Sequence, residues 1–425
     1  MRKVYYSLYG RLLDKELLRR SFKHVKRAGG SAGIDRQSLG SFDADLDSHL
    51  EQLLLELKTK QYRALPVKRV EIPKADGGVR LLGIPSVRDR VVQQAVKELL
   101  APIFEEQFHP SSFGYRPHRS CHDAINKATM FIRRYHLKHV VDMDLSKCFD
   151  RLDHELIIKQ IKKRVVDSSL LGLINQFLQS GVMTDGKLAP TDIGSPQGGV
   201  ISPLIANIYL DVFDQAMRER GHRIVRYADD ILILCRSAKG AHHALAVATE
   251  ILEKDLKLTV NTDKTHITHS SKGVKFLGVE IYSTYTRIQE AKLSAFKEAV
   301  KEKTPRNGGK PLSEVIKTLN PLLRGFSQYF KIANATRQYK ALAQWVRRRL
   351  RSTQLYLWKK PQRLHRRLKQ LGYKAPFKYI SMRRWRNSAS PLASFAMSND
   401  WFREQGLYHL EEVVTGYVFS VYAEY

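Results

Sequence analysis

Asp229 and Asp230 stand side by side at the tip of a short apolar hairpin, where adjacent carboxylates can hold a cation. The segment reads Ile224-Val225-Arg226-Tyr227-Ala228-Asp229-Asp230-Ile231-Leu232-Ile233-Leu234, which predicts strand, two-residue turn, strand. Asp also suits a turn for structural reasons alone, so the pair by itself fits a solvated turn as well as a metal site. A second acidic segment bears on the choice. In Val140-Val141-Asp142-Met143-Asp144-Leu145, strand alternation turns Val141, Met143 and Leu145 one way and Asp142 and Asp144 the other. Asp144 then adds a third carboxylate from a second strand. Oxygen donors without a histidine at ligand spacing favour Mg2+ over zinc, because Mg2+ takes few protein carboxylates and completes its shell with phosphates and water.

Two further groups suit a nucleotide. Ser195-Pro196-Gln197-Gly198-Gly199 precedes an apolar helix, and its glycines let backbone approach a ligand while the Gln197 amide offers hydrogen bonds. Lys74 and Arg80 flank a Gly77-Gly78 turn, making a cationic hairpin able to grip a triphosphate. Each of these groups is weak alone, since glycine pairs and exposed cations are common in turns.

The elements that must position these residues follow from periodicity. Residues 10–60 are expected to be helical, with Leu50, Leu53, Leu54 and Leu57 at helical spacing and a break at Gly29-Gly30-Ser31-Ala32-Gly33. A hairpin is expected around 77–78, helices at 88–107 and 120–136, and a strand at 138–145. Helices are expected over 153–180 and 200–220, then the Asp229–Asp230 hairpin, a helix at 239–256 and short strands at 257–268 and 274–282. Strands mixed with helices in this order predict an α+β body rather than a parallel doubly wound sheet. A linker at 304–311 leads to a helical apolar stripe from Val315 to Phe330, and basic helix is expected from there to Arg386.

The chain has 425 residues, 43% of them hydrophobic, and a formal charge of +30. Residues 292–387 hold 26 Lys and Arg against only Glu298, Glu302 and Glu314. That density calls for a polyanionic partner, with nucleic acid and an anionic membrane surface as the candidates. Cys121, Cys148 and Cys235 show no paired spacing, which argues against a disulfide scaffold and fits a reducing cytosol. No signal-peptide run opens the sequence and no segment nears a membrane span, so a cytoplasmic protein is expected.

The order of these motifs resembles that of reverse transcriptases, and most closely the group II intron-encoded kind. The resemblance rests on Lys74 with Gly77-Gly78 and Arg80, Asp144 with Phe149-Asp150, Pro196-Gln197-Gly198-Gly199, Tyr227-Ala228-Asp229-Asp230, Lys264 and Phe276-Leu277-Gly278. Subgroup marks are Gly83-Ile84-Pro85, Phe113-Gly114-Tyr115-Arg116-Pro117, Ser202-Pro203-Leu204 and Arg226.

This resemblance implies a right-hand polymerase of fingers and palm followed by an all-α thumb, or maturase, region. It divides the chain into an N-terminal extension and start of the fingers at 1–60, fingers and palm at 61–290, a thumb/maturase domain at 291–374 and a small DNA-binding region at 375–425. It implies Asp144, Asp229 and Asp230 as catalytic ligands of two Mg2+ ions, and Lys74, Arg80, Phe149, Gln197 and Lys264 around the dNTP. Phe149 matches a steric gate against the ribose 2′-OH, Lys264 a lysine that protonates the leaving group, and Phe276-Leu277-Gly278 the primer grip. Cys148 stands where an aromatic residue is often found. Arg347, Arg348, Arg349 and Arg351 are the expected RNA contacts. The implied partners are intron RNA as template and a DNA primer or target, with nucleoid association when bound to DNA. Nothing in the C-terminal part resembles the HNH endonuclease of some relatives. Two other readings remain open: a non-catalytic RNA-binding splicing factor, and a domesticated or defence-associated reverse transcriptase.

Overall fold

The structure, a computed structural model, describes residues 3–73, 78–184, 187–189, 193–194 and 198–416, with backbone only at 80, 184, 187 and 188. The chain divides into two compact units, Met1–His269 and Ser270–Glu424.

The first unit opens with helices Tyr9–Leu12, Lys15–Ala28, Leu39–Ala44 and Leu46–Lys58. Leu50, Leu53 and Leu57 are buried, as their spacing predicts. The glycine break is held rather than loose. Arg90, on helix Val87–Glu105, donates to the carbonyls of Gly29 (3.3 Å) and Ser31 (2.8 Å). Gly33 lies so close to Ser86 that a Cβ would sit 2.6 Å from the Ser86 Cα, so only glycine fits without a shift.

Eight strands are described in this unit: β1 Val67–Pro73, β2 Val79–Ile84, β3 His139–Met143, β4 Val182–Thr184, β5 Lys187–Ala189, β6 Arg223–Tyr227, β7 Asp230–Cys235 and β8 His266–His269. One sheet runs β2-β1-β4-β5, with the expected β1–β2 hairpin and a parallel contact between β1 and β4. The other runs β6-β7-β3-β8 and is antiparallel throughout. Helices Cys121–Arg133, Ser202–Glu219 and Ala238–Glu250 pack on this second sheet. Val141, Met143, Ile224, Ile231 and Ile233 join the main hydrophobic core.

Two expectations for this unit differ from the structure. The helix expected over 153–180 is two helices, His154–Lys162 and Ser168–Gln179, each started by an aspartate cap: Asp153 accepts from the Leu156 N–H and Asp167 from the Leu170 N–H. Asp167 also accepts from the N–H groups of Leu8 and Tyr9, so the break anchors the N-terminal segment. The strand expected from 257 begins only at His266: ahead of it Val260 makes a single antiparallel bridge to Leu145, and a turn at 262–264, closed by the Thr265 N–H on the Asn261 carbonyl at 2.9 Å, interrupts the pairing.

The second unit begins with a three-stranded antiparallel sheet, β9 Val274–Phe276, β10 Val279–Ile281 and β11 Thr286–Ile288. Helices Glu290–Lys303, Leu312–Phe330, Thr336–Trp358 and Pro361–Gln370 follow. The basic helix expected to reach Arg386 stops at Gln370, where Gly372 adopts a φ of +77°. No helix among the described residues is long and apolar enough to cross a membrane.

Candidate active site

The register of the four-stranded sheet decides which carboxylates share a face. Met143 pairs with Ile231 and Asp142 with Leu232, so one further step brings Asp144 opposite Asp230. Asp142, Asp144 and Asp230 therefore stand on one face, opposite to the core side of Met143 and Ile231. On the other flank of β3, Asp142 pairs with His266 in β8. Asp229 is in the two-residue turn between Tyr227 and Asp230, which pair across the hairpin.

This crowding has an electrostatic signature. Burial, and then the like charges of Asp229, Asp142 and Asp144, push Asp230 up to about 6. The Asp230 side chain is exposed by surface area, so the like charges are the firmer cause. A divalent cation among these oxygens would reverse that repulsion, and the donor set is the hard, all-oxygen kind that Mg2+, Mn2+ or Ca2+ accept. Among the described residues no group of three or more His, Cys, Asp or Glu is gathered into a preformed cage. The carboxylates form a rim, which suits an ion that draws part of its shell from a phosphorylated substrate.

Asp144 is oriented from the 261–265 loop. Asn261 Nδ2 donates to Asp144 Oδ2 at 3.1 Å, the Asp144 N–H bonds Thr265 Oγ1 at 3.2 Å, and Lys264 Nζ lies 4.0 Å from Asp144 Oδ2. Lys264 thus lies beside the Asp144 carboxylate. Phe149 follows Asp144 in the short 3-10 turn Cys148–Arg151, entered through Lys147 at φ +50°. Its ring is mostly buried in the core that also holds Met143 and Leu145. Burial pushes the neighbouring Cys148 thiol up to about 12, with Asp229 adding to the shift, so it stays protonated.

The Asp229 turn is braced from behind. Ala228 adopts a φ of +57°, a strained value for a residue with a Cβ. Arg226 Nη1 donates to the Ala228 carbonyl at 3.0 Å and to Asn207 Oδ1 at 3.0 Å, while Nε and Nη2 engage Asp214. Arg226 and Asp214 are both fully buried. Burial opposes the Arg226 charge, but Asp214 more than offsets it and raises the guanidinium pKa. Asn207 Nδ2 also bonds the Gly114 carbonyl at 2.8 Å. Gly114 is pressed against the turn, where a Cβ would fall 2.4 Å from the Ala228 nitrogen.

Lys74 and Gln197 lie outside the described residues, and Arg80 is described only by its backbone in β2. Gly194 and Gly198 are both closely packed by backbone atoms. A Cβ on Gly198 would lie 2.4 Å from the Gly83 carbonyl oxygen, and one on Gly194 would lie 2.7 Å from that of Asp150.

In the second unit Leu277-Gly278 form a two-residue turn between β9 and β10, at φ +45° and +84°. Tyr329 Oη donates to the Leu277 carbonyl at 2.9 Å. The four arginines are unequal. Arg347 is buried and paired with Glu411, and Arg351 donates to the Met397 carbonyl at 3.0 Å. Burial lowers Arg351 to about 10. Arg349 bonds Thr304 through Nε (2.7 Å) and Nη2 (2.9 Å), and Arg348 lies over the Trp385 ring. Arg347 and Arg351 each commit one donor inside the fold, and Arg349 commits two. The charge of all four is visible in the sequence, whereas partners such as Glu411 are not.

Residues 72–281 match the family model described as Reverse transcriptase (RNA-dependent DNA polymerase), and residues 293–372 match Group II intron, maturase-specific domain. Protein YkfC of Escherichia coli K12 is 33% identical over 298 residues, which cover 61% of this chain and 78% of YkfC. The chain belongs to the group II intron-encoded reverse transcriptases. The group II intron-encoded protein LtrA of Lactococcus lactis is 28% identical over 65% of this chain and 57% of its own. A putative COX1/OXI3 intron 2 protein of Saccharomyces cerevisiae is 28% identical over 64% of this chain and 38% of its own. This reverse transcriptase therefore spans only part of the length of those two relatives. It joins an RNA-directed DNA polymerase domain to a maturase domain, and both imply a nucleic-acid partner. The reverse transcriptase family uses divalent metal ions. Asp142, Asn207, Asp214 and Asn261 were not singled out as site residues from sequence. Asp142 had a signal in strand alternation; for the other three only tertiary contact reveals a role.

Proposed function

We propose that this protein extends a primer 3′-OH with dNTPs on an RNA template and assists its host intron RNA in splicing and mobility. The observation that carries this reading is the meeting of Asp144, Asp229 and Asp230 at one hairpin tip within the region matched by the reverse transcriptase model. Two Mg2+ ions held by these carboxylates would, when bound, lower the pKa of the primer hydroxyl and stabilise the leaving pyrophosphate. Asn261 holds the Asp144 carboxylate in one orientation, and the Arg226 brace fixes the Asp229 turn. Lys264 is placed to give a proton to the leaving group. Phe149 blocks a ribose 2′-OH, and Lys74, Arg80 and Gln197 bind the incoming triphosphate and base. Phe276, Leu277 and Gly278 grip the primer, with Tyr329 bracing the turn. Exposed cations of residues 291–374 contact intron RNA phosphates, and 375–425 approach the DNA target. We assign the protein to the cytoplasm, on the nucleoid when DNA is bound.

The test is primer extension on an RNA template with dNTPs and Mg2+, beside Asp229→Ala. Template-length cDNA from the wild type alone supports the reading. Equal loss of synthesis and RNA affinity in the variant would make Asp229 structural, and a folded, RNA-binding wild type without product would leave a splicing factor.

A further inference from the structure

We propose that a cavity between residues 304–307 and helix Thr336–Trp358 binds one unpaired nucleotide of a single strand, with Trp385 as its stacking platform. This rests on the nucleic-acid-binding reading above and adds a site within the second unit. The cavity has a volume of about 390 Å3 and is lined by Arg306, Asn307, Arg349, Ser352, Tyr356 and Trp385. That is within the ~300–1,000 Å3 range of small-molecule sites.

Its walls are built rather than incidental. Thr304 is buried, donates to the Val300 carbonyl at 2.6 Å and receives both Arg349 bonds, which fastens the start of the 304–307 turn to the helix. Trp385 nevertheless leaves 37% of its surface open. The Arg348 guanidinium sits 4.8 Å from its ring centroid, and that of Arg349 sits 5.8 Å away. An open aromatic ring beside guanidinium groups is the chemistry that binds a base by its π-face. Ser352, Tyr356 and Asn307 offer polar groups for a base edge or sugar, and the exposed Arg306 is at the rim for a phosphate. A base paired and stacked in a duplex cannot present its face here, so the site selects an unpaired nucleotide. Ribose and deoxyribose strands share that chemistry.

The test measures equilibrium binding of the full chain to a short single-stranded RNA, a single-stranded DNA and a blunt duplex of equal length, each across a salt series. Two charge-neutral changes are compared, Trp385→Leu and Asn307→Ala. Asn307 is exposed, so its variant keeps the question answerable if Trp385→Leu fails to fold. Loss of stacking should weaken single-strand binding by about tenfold in Trp385→Leu, and Asn307→Ala should weaken it several-fold. The salt slope and duplex affinity should stay at wild-type values. Loss with RNA alone or DNA alone supports the site and names its strand. Unchanged single-strand affinity, or an equal fall for the duplex, overturns the site while leaving the polymerase reading intact. A wild-type protein that binds none of the three overturns both.

Discussion

Replacing Gly114 by alanine should cripple synthesis without touching any carboxylate. The added Cβ would lie 2.4 Å from the Ala228 nitrogen and 3.1 Å from the Ala228 Cα and the Tyr227 carbonyl carbon, all backbone atoms. Ordinary contact needs roughly 3.4 Å, so one backbone must move by about 1 Å. Neither moves freely. The Phe113 N–H bonds the Arg226 carbonyl at 2.9 Å, Asn207 holds the Gly114 carbonyl, and Arg226 holds that of Ala228. Overpacking of this kind costs about 1–3 kcal/mol of stability. A displacement near 1 Å at the Asp229 turn should cost roughly 100-fold in the chemical step. Single-turnover primer extension at saturating dNTP measures the rate, and a thermal melt confirms folding. Gly172→Ala is the control, since nothing lies within 4 Å of its Cβ position in helix Ser168–Gln179. It should be neutral or stabilising by up to about 1 kcal/mol. A Gly114→Ala rate within a few-fold of wild type, with an unchanged melt, would refute the claim that this contact sets the turn.

Asn261→Ala removes the donor to Asp144 Oδ2 and should raise the Mg2+ concentration for half-maximal extension by about tenfold, read in a metal titration. Arg347→Ala leaves the partly buried Glu411 with only His409 Nδ1 at 3.8 Å, and should cost about 3 kcal/mol in urea unfolding, whereas a rim cation such as Arg306 should cost almost nothing. Asp211 is buried beside Asp214, and burial with that like charge raises it to about 6. Its folded pKa exceeds its unfolded one, so its contribution is full below about 4 and is lost as pH rises through 6. Asp211→Asn keeps an oxygen acceptor for the His109 N–H and the Gln215 amide. The variant should therefore gain about 2 kcal/mol at pH 7 and nothing at pH 4, as measured by denaturant midpoints at both values.

What the sequence determined by itself was local chemistry. The Tyr227–Asp230 turn was legible because apolar runs with two polar residues between them have few other ways to fold. Asp144 was legible because strand alternation separates it from Met143 and Leu145. The ordered set of motifs identified a reverse transcriptase before any contact was seen. Tertiary structure decided which groups meet. Asp142 joins Asp144 and Asp230 because β3 and β7 pair in one register, and a slip by one residue would turn those carboxylates towards the core. Asn261 reaches Asp144 across 117 positions of sequence. Gly114 must be glycine because of a backbone that arrives more than a hundred residues later, and Arg347 faces inward because Glu411 waits there. The physical reason is common to all four. Periodicity and turn chemistry are properties of neighbouring residues, whereas register, close approach and charge pairing arise only when distant segments pack.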